Sequence, residues 1–91
     1  MTAEAVAGLS FVTDNIRWKP NDFRDGVVIL GCVEATEALT VGQSYRGLPV
    51  LEIGDGAFAG NATLRAITLP GTVTRIGRQA FMNCVKLKTM N

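Results

Sequence analysis

No histidine occurs among the 91 residues, so the chain lacks the commonest general base and the commonest metal ligand. Neither a Ser-His nor a Cys-His nucleophile can be assembled, although Ser10, Ser44 and two cysteines are present. The two cysteines, Cys32 and Cys84, form no C-x-x-C pair, which leaves no zinc-type ligand set. Each is followed by a valine and reads as a small buried thiol, with a single Cys32–Cys84 disulfide left open for a secreted chain. Acids are missing after Asp55. Residues 56–91 carry only Arg65, Arg75, Arg78, Lys86 and Lys88 (+5), whereas residues 1–55 hold eight acids against four bases (−4). That asymmetry reads either as a basic face for an acidic partner or as solvated positions of a repeat filled by Lys and Arg. The overall charge of +1 argues against nucleic-acid wrapping. Long apolar runs are missing too, and nothing approaches the roughly 18 continuous residues of a membrane-spanning helix. The opening "MTAEAVAGLSFV" has no basic start and a short, glycine-broken apolar stretch, so it does not read as a secretory leader. A cytoplasmic chain and a chain whose leader has been removed both remain open.

What is present is repetition. The chain is 47% apolar with 10 glycines, enough for a modest core in a single domain. "IGDGAFAGN" (Ile53–Asn61) returns as "IGRQAFMNC" (Ile76–Cys84), a period of 23. Laying 50–68 over 73–91 gives identities at Val50/Val73, Ile53/Ile76, Gly54/Gly77, Ala57/Ala80, Phe58/Phe81 and Leu64/Leu87. The matching positions are apolar or glycine, and the differing ones are mostly polar: Glu52/Arg75, Asp55/Arg78, Thr63/Lys86, Arg65/Lys88. An active-site motif would repeat its polar residues. A stack of units repeats the residues that pack, because each must present the same apolar set to its neighbour.

Within a unit, "TLRAITLP" alternates at its end, with Ile67 and Leu69 on one side of a short strand that Pro70 closes. "GTVTRIG" predicts a turn and an extended stretch, and "GRQAFMNC" one short helical turn. In the earlier copy Asp55 is placed to cap that turn. Phe58 and Phe81 are expected to plug the interior; a ligand-stacking ladder is the other reading. Upstream, "RDGVVILGCV" (Arg24–Val33) reads as a strand after an Asp-Gly turn. "LSFVTDNIRWKP" suggests a hairpin about Thr13-Asp14-Asn15, with Trp18 and Phe23 as plugs of a cap; a lone tryptophan as a binding hot spot is the alternative.

The run Leu64, Ile67, Leu69, Pro70, Val73, Ile76, Gly77, Ala80, Phe81, Cys84, Leu87 resembles the BspA-like leucine-rich repeat family at every position of its pattern. The preceding copy has Asn61 in place of the cysteine. "ALTVGQSYRGLPVLEIGDGAF" (Ala38–Phe58) is similar to an opening coil of that family, with Gly42 where proline is usual. The stretch from Leu39 to Val50 is longer by five than its counterpart from Ile67 to Val73, an insertion in the loop. The resemblance implies a leucine-rich-repeat solenoid, β-rich, with short parallel strands and short helical or 3-10 turns in each coil of the repeat, closed by an N-terminal β cap. The expected division is a cap over 1–37, with a hairpin and lead-in strand, and about two and a half coils over 38–60, 61–83 and 84–91.

The expected function is a non-enzymatic interaction module that binds a protein or glycan partner. Arg65, Ala66, Thr68, Lys88 and Thr89 of the strand face are the candidate partner-binding residues. No cofactor, nucleic acid or membrane insertion is expected. The resemblance implies adhesion or host-surface binding at the cell surface; a small intracellular binder or inhibitor, or a self-assembling module, is the alternative. "KLKTMN" enters a new coil without a polar closure, so Leu87 and Met90 are candidates for an oligomer edge, unless the chain is part of a longer array.

Overall fold

The computed structural model of the chain describes residues 10–90; residues 1–9 of the expected N-terminal block, and Asn91, lie outside the described residues. Nine strands follow in order: β1 (Phe11–Thr13), β2 (Ile16–Pro20), β3 (Val27–Cys32), β4 (Ala38–Thr40), β5 (Ser44–Tyr45), β6 (Leu48–Ile53), β7 (Ala66–Thr68), β8 (Arg75–Ile76) and β9 (Thr89–Met90). Two sheets face each other across one core. One has β1, β2 and β3 antiparallel, then β6 and β8 parallel to β3. The other is β4–β7–β9, all parallel. Residues one period apart lie side by side: Ile53 pairs with Ile76, Ala66 with Thr89 and Ile67 with Met90. The sequence period is therefore the spacing between neighbouring strands.

β1 and β2 form a hairpin whose turn, Asp14-Asn15, has φ of 48° and 70°. Short polar side chains tolerate this left-handed backbone, and two such residues in succession match the twist of a two-residue hairpin. Asn15 then holds the far side of the sheet, its Oδ1 accepting from the Val33 and Glu34 amides at 3.1 and 2.7 Å. Trp18 is fully buried, and its Nε1 donates to Thr13 Oγ1 at 3.1 Å. Its ring stacks between Phe11 (4.8 Å) and Tyr45 (5.6 Å), and the Arg46 guanidinium lies 4.5 Å from the Phe11 centroid. Trp18 thus fills the core, as expected of a plug.

Phe23 does not. It is 87% exposed. Its loop closes on itself instead, with Asn21 Nδ2 donating to Asp25 Oδ1 at 2.8 Å and the Asp25 amide donating to Asn21 Oδ1 at 3.1 Å. The place beside Trp18 goes to Tyr45, from the five-residue insertion. That insertion is a second hairpin rather than an irregular loop: β5 pairs antiparallel with β6 (Tyr45 with Leu48) across Arg46-Gly47, at φ of 53° and 82°. Tyr45 is buried, and its hydroxyl accepts from the Gly42 amide at 2.9 Å.

No helix occurs among the described residues, contrary to the expected short helical or 3-10 turns. Alternate backbone groups of these segments are committed to the neighbouring unit, amides in the first segment and carbonyls in its copy. Ala57, Ala59 and Asn61 donate locally, to the Gly54, Gly56 and Phe58 carbonyls at 3.1–3.2 Å. Between them, Gly56, Phe58 and Gly60 donate to the next unit, to the Arg78, Ala80 and Met82 carbonyls at 2.8–2.9 Å. The backbone alternates to allow it, with Gly56 and Gly60 at φ of 65° and 74° and their counterparts Gln79 and Asn83 at 56° and 58°. Consecutive helical bonds cannot form when alternate donors point out of the turn.

Asp55 likewise bonds outward. It does not cap its own turn; its Oδ1 accepts from the Arg78 amide of the next unit at 2.7 Å. Phe58 and Phe81 stack with centroids 5.4 Å apart and rings within 7° of parallel. Phe58 is buried and Phe81 partly so, which makes the aromatic ladder a core element. Cys32 and Cys84 are free thiols, each half-buried. Cys84 Sγ lies 3.0 Å from the Phe58 carbonyl oxygen. At the equivalent position, Asn61 accepts from the Thr63 and Leu64 amides at 3.1 and 3.0 Å, so the asparagine closes the same corner by other bonds.

The units approach closely at Gly77. A Cβ there would lie 2.6 Å from Asp55 N and 2.8 Å from Gly54 C, backbone atoms that cannot step aside. A four-variant unfolding series in urea tests the stacking. Gly77→Ala is expected to lose roughly 1–3 kcal/mol from overpacking, whereas Gly71→Ala, which meets nothing within 4 Å, changes stability by less than about 0.5 kcal/mol. Ile53→Ala removes a side chain at 0% exposure and is expected to cost about 2–5 kcal/mol. Ile76→Ala, at the same repeat position but 47% exposed, should cost less than half as much. Equal losses within either pair would contradict the packing described.

Candidate interaction surface

The β4–β7–β9 sheet is built by alternation. Leu39 and Ile67 point inward and are buried, while Ala38, Thr40, Ala66, Thr68 and Thr89 occupy the outer face. Parallel register puts these outer residues in rows across the strands, Ala38–Ala66–Thr89 and Thr40–Thr68. Each is small. The face therefore has no side chain bulky enough to keep a partner from approaching the sheet closely.

A charged row, Glu37–Arg65–Lys88, borders it. The Arg65 and Ala66 amides both donate to the Glu37 carbonyl, at 2.7 and 3.0 Å, and one unit on the Lys88 and Thr89 amides donate to the Arg65 carbonyl, at 2.8 and 3.3 Å. This repeated bonding fixes where the row sits. The Arg65 Nε lies 3.7 Å from Glu37 Oε1, but with side chains 56% and 71% exposed the pair adds little to stability. Arg65 and Lys88 are both exposed along this border.

The structure places Arg65, Ala66, Thr68, Lys88 and Thr89 together on this one face. Met90 is not among them. It occupies the inward row, beside Ile67, and is 50% exposed where Ile67 is 1%. Leu87 is partly buried against the core. Glu37, Ala38 and Thr40 belong to the face and were missed in the sequence, because the insertion before β6 sets β4 out of the repeat period. The signal that finds them is the Ala38–Ala66 pairing, offset by one period plus that insertion of five.

Ser10 and Ser44 are exposed, the latter in β5. Among the described residues no three His, Cys, Asp or Glu side chains are grouped to hold a metal ion. No helix of the described residues is long and apolar enough to cross a membrane.

Comparisons with known proteins fit this architecture. No curated protein matches the chain. Four solved structures do. The leucine-rich repeat protein of T. pallidum aligns over 91% of this chain at 29% identity with a TM-score of 0.83. A leucine-rich repeat protein from Bacteroides ovatus aligns over 89% at 31% identity with a TM-score of 0.81. A leucine-rich cell surface protein from Faecalibacterium prausnitzii aligns over 91% at 25% identity with a TM-score of 0.79. The chain spans 39%, 23% and 23% of those three proteins respectively. Residues 48–91, which hold the stacked copies, match the family described as the BspA type leucine rich repeat region (6 copies). Residues 48–91, just under half of the chain, are thus a leucine-rich repeat region of the BspA type.

Proposed function

We propose that the chain is a non-enzymatic interaction module, a stretch of leucine-rich-repeat solenoid whose β4–β7–β9 face binds a protein partner. The observation that carries this reading is the face itself: rows of small side chains in register, bordered by Arg65 and Lys88. A surface of that kind takes a partner by close backbone approach, with the charged border setting orientation. The reading divides the chain into a cap over 1–37 and repeat units over 38–91, and β1, β2 and β3 are well suited to the cap. They cover the apolar side of the first unit with their own inward side chains, of which Trp18 and Ile29 are fully buried. Adhesion at a cell surface is the setting that best accords with the F. prausnitzii relative, itself described as a cell surface protein.

A second reading concerns the face beyond Ile76 and Met90. Ile76, Met82, Val85 and Met90 are 47–76% exposed there, and β8 and β9 are edge strands. In this reading a second copy covers the face by edge pairing through Leu87 and Met90. Sedimentation of the full chain at micromolar concentration is then expected to show a dimer that Met90→Lys dissociates. A monomer throughout would exclude it.

The partner-binding reading is tested with the chain immobilised against fractionated surface proteins of host cells, beside an Ala66→Arg/Thr68→Arg double variant. Both positions lie on the outer side of β7, so melting should stay within a few degrees. Retention of the captured protein is expected to fall at least tenfold in the variant. Undiminished retention would remove the face from the function.

A further inference from the structure

The opposite side of the molecule carries a different surface. Across the outer face of β3, β6 and β8 runs a groove of about 720 Å³. Val28, Leu30 and Leu51 give it an apolar floor. One wall is the 21–25 loop, which holds Phe23 out at 87% exposure. That exposure is built in: besides the two Asn21–Asp25 bonds, the Asn21 amide donates to the Gly26 carbonyl at 2.9 Å and the Arg24 amide to the Asn21 carbonyl at 3.0 Å. A lone exposed aromatic needs no explanation. An aromatic fixed by a closed loop at the edge of an apolar groove marks a contact surface.

The charges say what fits. Four carboxylates line the groove, Asp22, Asp25, Glu52 and Asp55, against Lys19 and Arg75. Arg75 already pairs with Glu52, Nε to Oε1 at 3.8 Å. Asp22, Asp25 and Asp55 have no cationic partner among the described residues, so the groove carries an excess of negative charge that Lys19 alone does not offset. The acids are confined to this half of the chain, and the groove collects half of the eight. A ligand that complements it needs positive charge for the carboxylates, apolar stem for the floor and a planar cation for the open ring of Phe23. Guanidinium on a three-carbon stem has all three.

We propose that this groove is a second docking site, for an arginine-bearing peptide segment of a partner protein. It lies on the other sheet from the β4–β7–β9 face, so both sites can be occupied at once. Phe23 stacks on the guanidinium, Asp22 and Asp25 neutralise it, and Val28, Leu30 and Leu51 take an apolar neighbour in the peptide.

The test is a titration of the isotopically labelled full chain with the synthetic peptide Gly-Leu-Arg-Leu-Arg-Gly, followed by amide chemical shifts. A glutamate-for-arginine peptide serves as control. Shifts are expected at residues 22–25, 28–30 and 51–55 and not on β4, β7 or β9, with none from the control peptide. Phe23→Ser and Asp22→Asn, both at exposed loop positions, are expected to leave melting unchanged and each weaken the interaction at least fivefold. Full binding by Phe23→Ser, shifts scattered over the surface, equal binding of the glutamate peptide, or no shifts at millimolar peptide would each overturn the proposal.

Discussion

Alternate amides of the turn after β6 donate out of their own unit into the next, and most of the architecture follows from that one arrangement. Gly56, Phe58 and Gly60 reach the Arg78, Ala80 and Met82 carbonyls, while the residues between them hold the turn together. Two neighbouring units are thus stitched along three lines: the β6–β8 pairing, the β7–β9 pairing and this row of turn bonds. Buried backbone donors must find acceptors, so the three lines together fix register. A one-residue slip would disrupt all three and turn Ile53 and Ile67 out of the core.

The stitching explains the side chains. Units held by backbone bonds at 2.8–2.9 Å approach too closely for a Cβ at Gly77, and near enough for Phe58 and Phe81 to stack. It also explains why burial is graded along the chain. Ile53 and Ile67, with a paired strand on either side, are at 0% and 1% exposure, while Ile76 and Met90, with one neighbour among the described residues, are near one half. At the other side the aromatic stack of Phe11, Trp18 and Tyr45 covers the first unit, and Tyr45 comes from an insertion. The repeat leaves its outer positions free of packing duty, which is where the two proposed sites lie.

Much of this was legible in the sequence. The identities at 50/73, 53/76, 58/81 and 64/87 single out stacking residues, because an interior position has one shape to fill and an outer one has none. Asp14-Asn15 betrays a left-handed turn by residue type. Arg65, Ala66, Lys88 and Thr89 fall on one face because the period fixes their register. The illegible parts are those decided by a partner distant in the chain. Asp55 has the chemistry of a local cap, and only the stacked geometry brings the Arg78 amide to it. "GAFAG" and "QAFMN" are compatible with a helical turn until each claims alternate backbone groups of the other, donors in the first and carbonyls in the second. Phe23 looks like core by composition, and four short bonds in its loop turn it outward. The β4 contribution to the proposed interaction face is hidden by an insertion that shifts the period.

Amide hydrogen exchange, resolved by residue in the full chain, tests the central claim most directly. The two units offer an internal comparison, because Gly56, Phe58 and Gly60 donate to the next unit while their counterparts Gln79, Phe81 and Asn83 have no backbone acceptor among the described residues. The account predicts strong protection at 56, 58 and 60 and free exchange at 79, 81 and 83. Within the second turn, Ala80, Met82 and Cys84 should be intermediate. Exchange at 56, 58 and 60 as fast as at 79, 81 and 83 would contradict it.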